Sequence, residues 1–257
     1  MEGEECKLAI VVFACNTVEK YLKELESINK TWGKKCQEYP NIRLLFFLGE
    51  ERVEGAEFED TSNTKYIHLP GVGNDYLSAS YKQWAGLKYV YEQHKPKFTI
   101  CIGTDTYLNI PALLSFLEAY NPECPLYIGG HSAKRQIGDK AYRYQAGGPG
   151  FVLTIAVLEK LYPYVHLIMD DWIQVCMRYG VTYLIVACDV AMAFYLENLN
   201  LKPRFIDAGP AFIHCNYFGN PCCYGNIDMS KIVSCHFMNP HDSQVFTRIL
   251  EANNYYV

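Results

Sequence analysis

The sequence has no long hydrophobic run, no basic excess and no glycine fingerprint for a nucleotide. Near the start, the longest uncharged apolar run covers residues 8–15, far short of the ~20 residues that span a bilayer. It has no basic stretch before it and no small-residue cleavage site after it, so it does not read as a signal peptide. Lys and Arg number 23 against 28 Asp and Glu, a formal charge of −5. A general nucleic-acid binder carries a positive excess to neutralise phosphates, so no nucleic-acid partner is expected. No Gly-x-Gly-x-x-Gly follows the first strand signal and no P-loop pattern is present, which disfavours dinucleotide and P-loop chemistry. The 11 cysteines form no paired Cys-x-x-Cys frame, against structural zinc. Their odd count leaves at least one thiol free or paired with another chain, and cytosolic thiols and luminal disulfides both stay open. Repeats, low-complexity tracts and linkers are lacking too, so residues 1–257 are expected to form one domain.

What is present is an ordinary core composition, half hydrophobic with 20% charged residues, and an alternation of strand and helix signals. Residues 8–14 are a continuous apolar run, as expected for a strand buried on both faces, and residues 42–48 read as a second buried strand. Residues 65–69 read as a shorter, edge-like strand. Asn16, with Glu19 three residues on, reads as the cap of a helix reaching Gly33. From 76 to 94, Leu77, Tyr81, Trp84, Leu87 and Tyr91 recur at helical spacing. A strand over 98–102 and a helix opened by Asn109-Ile110-Pro111 follow. The alternation predicts an α/β fold with a mostly parallel, Rossmann-like central sheet flanked by helices, whose ligands bind beyond the carboxyl ends of the strands. The second half is more irregular. It holds a strand at 127–129, a charged stretch at 131–144 that reads as mobile, a strand at 151–153 and a helix capped by Thr154. Helices at 168–179 and 190–198, a loop at 215–226, a strand at 232–237 and a last helix from about His241 complete it.

Five features could carry chemistry, and each has a plain structural reading beside the functional one. Asp105, just past a buried strand, either ties up the strand-to-helix turn or reaches a divalent cation on a diphosphate. Gly147-Gly148-Pro149-Gly150 is either a loop or a place where backbone approaches a ligand closely. Asp189, alone in an apolar stretch, is either a helix N-cap or a base with an altered pKa. His236 is either a core histidine or a metal ligand. Lys82 is either a solvated lysine of a long helix or a functional cation.

The order of segments resembles the Fringe-like β1,3-glycosyltransferases (glycosyltransferase family 31), and within them the core 1 β1,3-galactosyltransferase group. Thr31-Trp32-Gly33 followed by Cys36 is similar to that group's Thr-Trp-Gly-x-x-Cys segment. The helix bearing Lys82 and Lys88 to His94 matches the one ahead of its metal motif. Asp105-Thr106-Tyr107 is similar to its Asp-Asp-Asp-Thr-Tyr block, and Gln145 to Leu153 to its Gly-Gly-Ala-Gly-Tyr-Val-Leu segment. Cys222-Cys223 and Val233-Ser-Cys-His236-Phe237 resemble its ending. The matches run in the same order from about residue 8 to 250.

The resemblance implies a GT-A fold, with a nucleotide-binding half over 7–125 and an acceptor and metal half over 126–257. It implies a UDP-sugar donor, with galactose favoured, and transfer to a hydroxyl of a glycan or glycoprotein, with Mn²⁺ or another divalent cation as cofactor. On it, Asp105 and His236 are metal ligands, and both suit Mn²⁺. Asp189 is the base of an inverting displacement. Lys82, Thr104, Asp105, Gly147 and Gly148 line the donor, and Tyr217, in an aromatic loop, is placed at the acceptor. Two motifs depart from the family pattern, at three positions. Gly103 and Thr104 replace the first two acids of the triplet, and Cys188 replaces the acid before Asp189. Because the family includes a chaperone that lacks the triplet, a non-catalytic binding role is the alternative. Family members are usually membrane-anchored in the Golgi. This chain is therefore expected to be a trimmed luminal domain, able to use the sequon Asn29-Lys30-Thr31, or a soluble cytoplasmic form, and a homodimer is left open.

Overall fold

The computed structural model describes residues 5–51, 58–219 and 228–255. A seven-stranded sheet lies at its centre. The first apolar run becomes β1 (Leu8–Phe13), flanked in parallel by β2 (Ile42–Leu48) and β4 (Phe98–Gly103), with β3 (Thr64–His68) as the edge beyond β2. On the other side of β4, β9 (Phe151–Thr154) runs antiparallel between β4 and β6 (Leu126–Gly129), and β10 (Arg204–Asp207) closes that edge parallel to β6.

The strands alternate their side chains between two cores, as the period of two requires. Leu8, Ile10 and Val12 join one buried cluster with residues of α1 (Glu19–Lys30), α2 (Trp32–Cys36), α4 (Ile110–Leu117) and α8 (Pro240–Ala252). Ala9 and Val11 join the other, with α3 (Tyr76–Gln93), α5 (Ile155–Leu161), α6 (Ile168–Arg178) and α7 (Cys188–Asn198). Both faces are covered, which is why β1 is apolar throughout and β2 and β4 nearly so.

Several local expectations change. Asn16 does not cap α1: the N-cap is Val18 and no side chain bonds the first turn. Thr31 breaks out of helical geometry, so the expected single helix becomes α1 and the short α2. Thr154 sits at the N-cap of α5, but its hydroxyl donates to the Cys124 carbonyl and accepts from Leu126 N–H instead of capping. The charged stretch 131–144 is a hairpin of β7 (Ser132–Ile137) and β8 (Lys140–Gln145) with six paired positions. It is held because Ile137, Tyr142 and Tyr144 bury their side chains toward α7 while the charges face water. The expected strand 232–237 shortens to β12 (Ser234–Cys235). Cys222 and Cys223, and much of the loop 215–226, lie outside the described residues. In the sequon, Asn29 is half-buried and its Oδ1 accepts from the Tyr66 hydroxyl at 2.8 Å, while Thr31 is buried. Among the described residues, no helix is long and apolar enough to cross a membrane.

Candidate active site

Asp105 lies in the turn, Thr104 and Asp105, that follows β4. The chain then forms β5 (Tyr107–Leu108), which pairs antiparallel with β12, and β12 pairs parallel with β11 (Phe212–Ile213). This small ribbon carries His236 from the end of the chain back to the end of β4. The amide of Met238 donates to the Asp105 carbonyl at 2.9 Å, and His236 Nε2 lies 3.4 Å from Asp105 Oδ2. Burial opposes ionisation of Asp105, but the hydrogen bond and charge of His236, helped by Lys20, outweigh it and hold the carboxyl below its usual range.

The glycine turn joins this pair to Asp189. Gly147 N–H donates to Asp189 Oδ2 at 2.9 Å, Gly150 N–H closes the turn on the Gly147 carbonyl, and the Thr106 hydroxyl donates to the Gly148 carbonyl at 2.7 Å. A Cβ on Gly148 would stand 2.3 Å from His236 Nδ1, so only glycine lets the turn and the imidazole meet. Gly150 has φ +85°, and a Cβ there would meet Ile102 at 2.6 Å. From Asp189 through Gly147 and Gly148 to His236 and Asp105, the contacts form one continuous arc.

Asp189 lies in the first turn of α7, whose N-cap is Ala187. It is therefore not the N-cap. Its Oδ1 accepts from Val190 N–H at 2.8 Å. Burial raises its pKa above the usual value against the opposing pull of the Gly147 and Val190 amides. Two of the buried polar residues of α3 fix this segment: Ser80 donates to the Val186 carbonyl and Gln83 to that of Cys188.

Lys82 is buried, and its ammonium donates to the Ala14 carbonyl at 2.8 Å and to Asn74 Oδ1 at 2.9 Å. Burial lowers its pKa. It thus pins the loop after β1 to the loop before α3. Thr104 is buried as well, and its hydroxyl donates to Glu24 Oε2 at 2.6 Å. Tyr217 packs edge-on against Phe246 of α8, with ring centroids 5.1 Å apart. Among the described residues, no bond links Tyr217 to Asp105, Asp189 or His236.

Other groups at the site were not singled out in the sequence. Glu24, on α1, is a buried carboxylate. His214 follows β11, stacks on His131 at 4.3 Å and lies 5.5 Å from His236. Burial, with the two neighbouring imidazoles, pushes its pKa down to about 4, so it is neutral at physiological pH. Tyr76, at the start of α3, is 73% exposed yet feels the charges of Asp189 and Asp105. Only the helical period, which places Glu24 on the inward stripe of α1 with Leu25 and Ile28, could have flagged one of them.

Asp105 and His236 are chemically suited to a hard-to-borderline divalent ion such as Mn²⁺. Their 3.4 Å separation is that of neighbouring ligands around one ion with bonds of about 2.1 Å. Among the described residues no set of three His, Cys, Asp or Glu converges on one point, so the pair would leave the remaining positions to diphosphate oxygens and water.

A seven-stranded, mostly parallel sheet with an acidic turn at the end of its fourth strand defines a GT-A glycosyltransferase fold. It is similar to the galactosyltransferase LgtC, solved in complex with donor and acceptor sugar analogues, with a TM-score of 0.52 and 14% identity over 95% of each chain. The Fringe-like family model matches residues 6–207, and the chain belongs to that family. Among curated relatives, mouse β-1,3-galactosyltransferase 5 is 22% identical over 95% of this chain and 80% of its own. Mouse chondroitin sulfate synthase 3 is 25% identical over 58% of this chain, a match that spans 17% of its own length.

Proposed function

We propose that the chain transfers a hexose, galactose favoured, from a UDP-sugar to a hydroxyl of a glycan or glycoprotein, with inversion and with a divalent cation, Mn²⁺ favoured, bound at the donor. A β1,3 linkage is the favoured outcome, and kinship with the core 1 galactosyltransferase group rests on the motifs that suggested it. The single observation that carries the reading is the glycine turn, which holds a carboxylate of raised pKa at one end and the Asp105–His236 pair at the other. Asp189 has one lone pair on each oxygen left after Gly147 and Val190, so it can accept the proton of the acceptor hydroxyl as that oxygen attacks the anomeric carbon. A raised pKa strengthens it as a base. Asp105 and His236 would hold the cation, which supplies charge for the departing diphosphate when bound. Lys82 acts on the donor only indirectly, by fixing the loop after β1.

The deciding experiment is the melting temperature of the chain titrated with UDP, with and without Mn²⁺. Binding to the folded state raises Tm by linkage, so a rise that needs Mn²⁺ supports the donor site. No metal-dependent rise removes the transferase reading and leaves a binding or chaperone role. A panel of UDP-sugars screened for Mn²⁺-dependent hydrolysis then assigns the sugar.

A further inference from the structure

We propose that Glu24 is a positioning residue of the donor site: its carboxylate, brought from α1 to the Thr104–Asp105 turn, supplies a second negative charge when a divalent cation binds at Asp105 and His236. The inference rests on the metal-dependent reading above.

Glu24 is 4% exposed and sits among Leu25, Ser27 and Ile28 on the inward stripe of α1. Two groups compensate its charge. The Thr104 hydroxyl donates to Oε2 at 2.6 Å, and Lys20 approaches Oε1 at 3.7 Å from a side chain that is 70% exposed. Asp105, the next residue after Thr104, adds repulsion to the burial that already opposes ionisation of Glu24. Two carboxylates therefore meet at the end of β4, with one solvated lysine and one imidazole facing them. An uncharged side chain of similar volume would fill the same space at lower cost, because a buried charge without an equal partner is strongly unfavourable. A dication held by Asp105 and His236 removes the imbalance.

The Glu24 carboxylate is bonded by Thr104 and is not one of the two side chains that would hold the ion. It acts through Thr104 and through the field at Asp105. Position 104 carries a hydroxyl, and the fold delivers a carboxylate to that hydroxyl from another element.

The test measures Mn²⁺ binding to the full chain by calorimetry, alone and with UDP, for wild type, Glu24→Gln, and Glu24→Gln combined with Thr104→Asp. Glutamine keeps an oxygen to accept from Thr104 and removes only the charge. The expected result is a metal-free Tm for E24Q at or above wild type, with Mn²⁺ affinity reduced about tenfold or more. Moving the carboxylate to position 104 should restore affinity to within about threefold of wild type, because charge at this turn is what the ion needs. Wild-type affinity in E24Q overturns the proposal. So does a weakened E24Q that T104D fails to rescue, or an E24Q that does not fold, since Glu24 would then be structural. A wild-type chain that binds no Mn²⁺ even with UDP removes the metal reading itself, a result distinguishable from all of these.

Discussion

The amide of Gly147 donates to Oδ2 of Asp189 at 2.9 Å, tying the first turn of α7 to the glycine turn that packs against His236. One backbone bond thus sets the distance between the candidate base and the candidate metal pair. It also leaves the second lone pair of Oδ2 available, so positioning and proton acceptance are compatible.

Replacing Asp189 by Asn should separate chemistry from binding. The amide oxygen can still accept from Gly147, which keeps the tie to the turn, while Val190 N–H loses its side-chain acceptor and the base is lost. Transfer should fall by about 10²–10⁴, with the Mn²⁺-dependent UDP shift in Tm unchanged. A variant with full activity would show that another group takes the proton.

The same residue gives a pH prediction. Its folded pKa is raised by burial, so the folded state holds the proton more tightly than the unfolded chain. The stabilisation from that proton is complete below the unfolded value of about 4 and lost as pH rises through the folded pKa. Asp189→Asn should therefore melt with wild type at acid pH and above it at pH 7. The rate should fall on the acid side as Asp189 protonates, at a pH above the usual carboxylate range. Equal Tm differences at pH 4 and pH 7 would refute the buried charge.

Gly148→Ala should damage the metal pair while Gly147→Ala should not. A Cβ at 148 would lie 2.3 Å from His236 Nδ1, whereas one at 147 meets the Asp189 Cβ at 3.4 Å, an ordinary contact. Mn²⁺ affinity should drop about tenfold or more in the first variant, with about 1–3 kcal/mol of stability lost to crowding. Calorimetry with Mn²⁺ and a thermal melt check both values.

Lys82→Met should destabilise the chain with no ligand present. The Ala14 carbonyl and Asn74 Oδ1 would lose a buried donor, and an unpaired buried acceptor costs about 1–3 kcal/mol. A loss of about 2 kcal/mol or more, read as a Tm fall of roughly 4–8 °C, is expected in metal-free buffer. An unchanged metal-free Tm with weakened UDP binding would instead make Lys82 a direct donor contact.

The sequence by itself determined the elements whose residues answer to a local rule. The unbroken apolar run of β1 marks a strand covered on both faces, and the start of α4 carries its own signal in the cap Asn109 and in Pro111 of its first turn. The glycines at 147–150 and the carboxylates at 105 and 189 were legible because glycine among bulky residues, or an acid in an apolar run, is anomalous wherever the chain folds. What the sequence could not settle is which of those anomalies meet. β5, β11 and β12 are two residues long and have no period to detect, yet their pairing brings His236 to Asp105. β10 is a half-exposed edge strand with no hydrophobic run, and it was not foreseen. The charged stretch 131–144 reads as mobile in sequence because the buried tyrosines of its hairpin anchor it only once α7 lies beneath them. Glu24 is one of three Glu on α1, matched there by three Lys, so charge pattern alone does not set it apart. Its proximity to Thr104 was decided by tertiary packing alone, since the two are joined by a hydrogen bond between residues 80 positions apart in the chain, a distance no local pattern can encode.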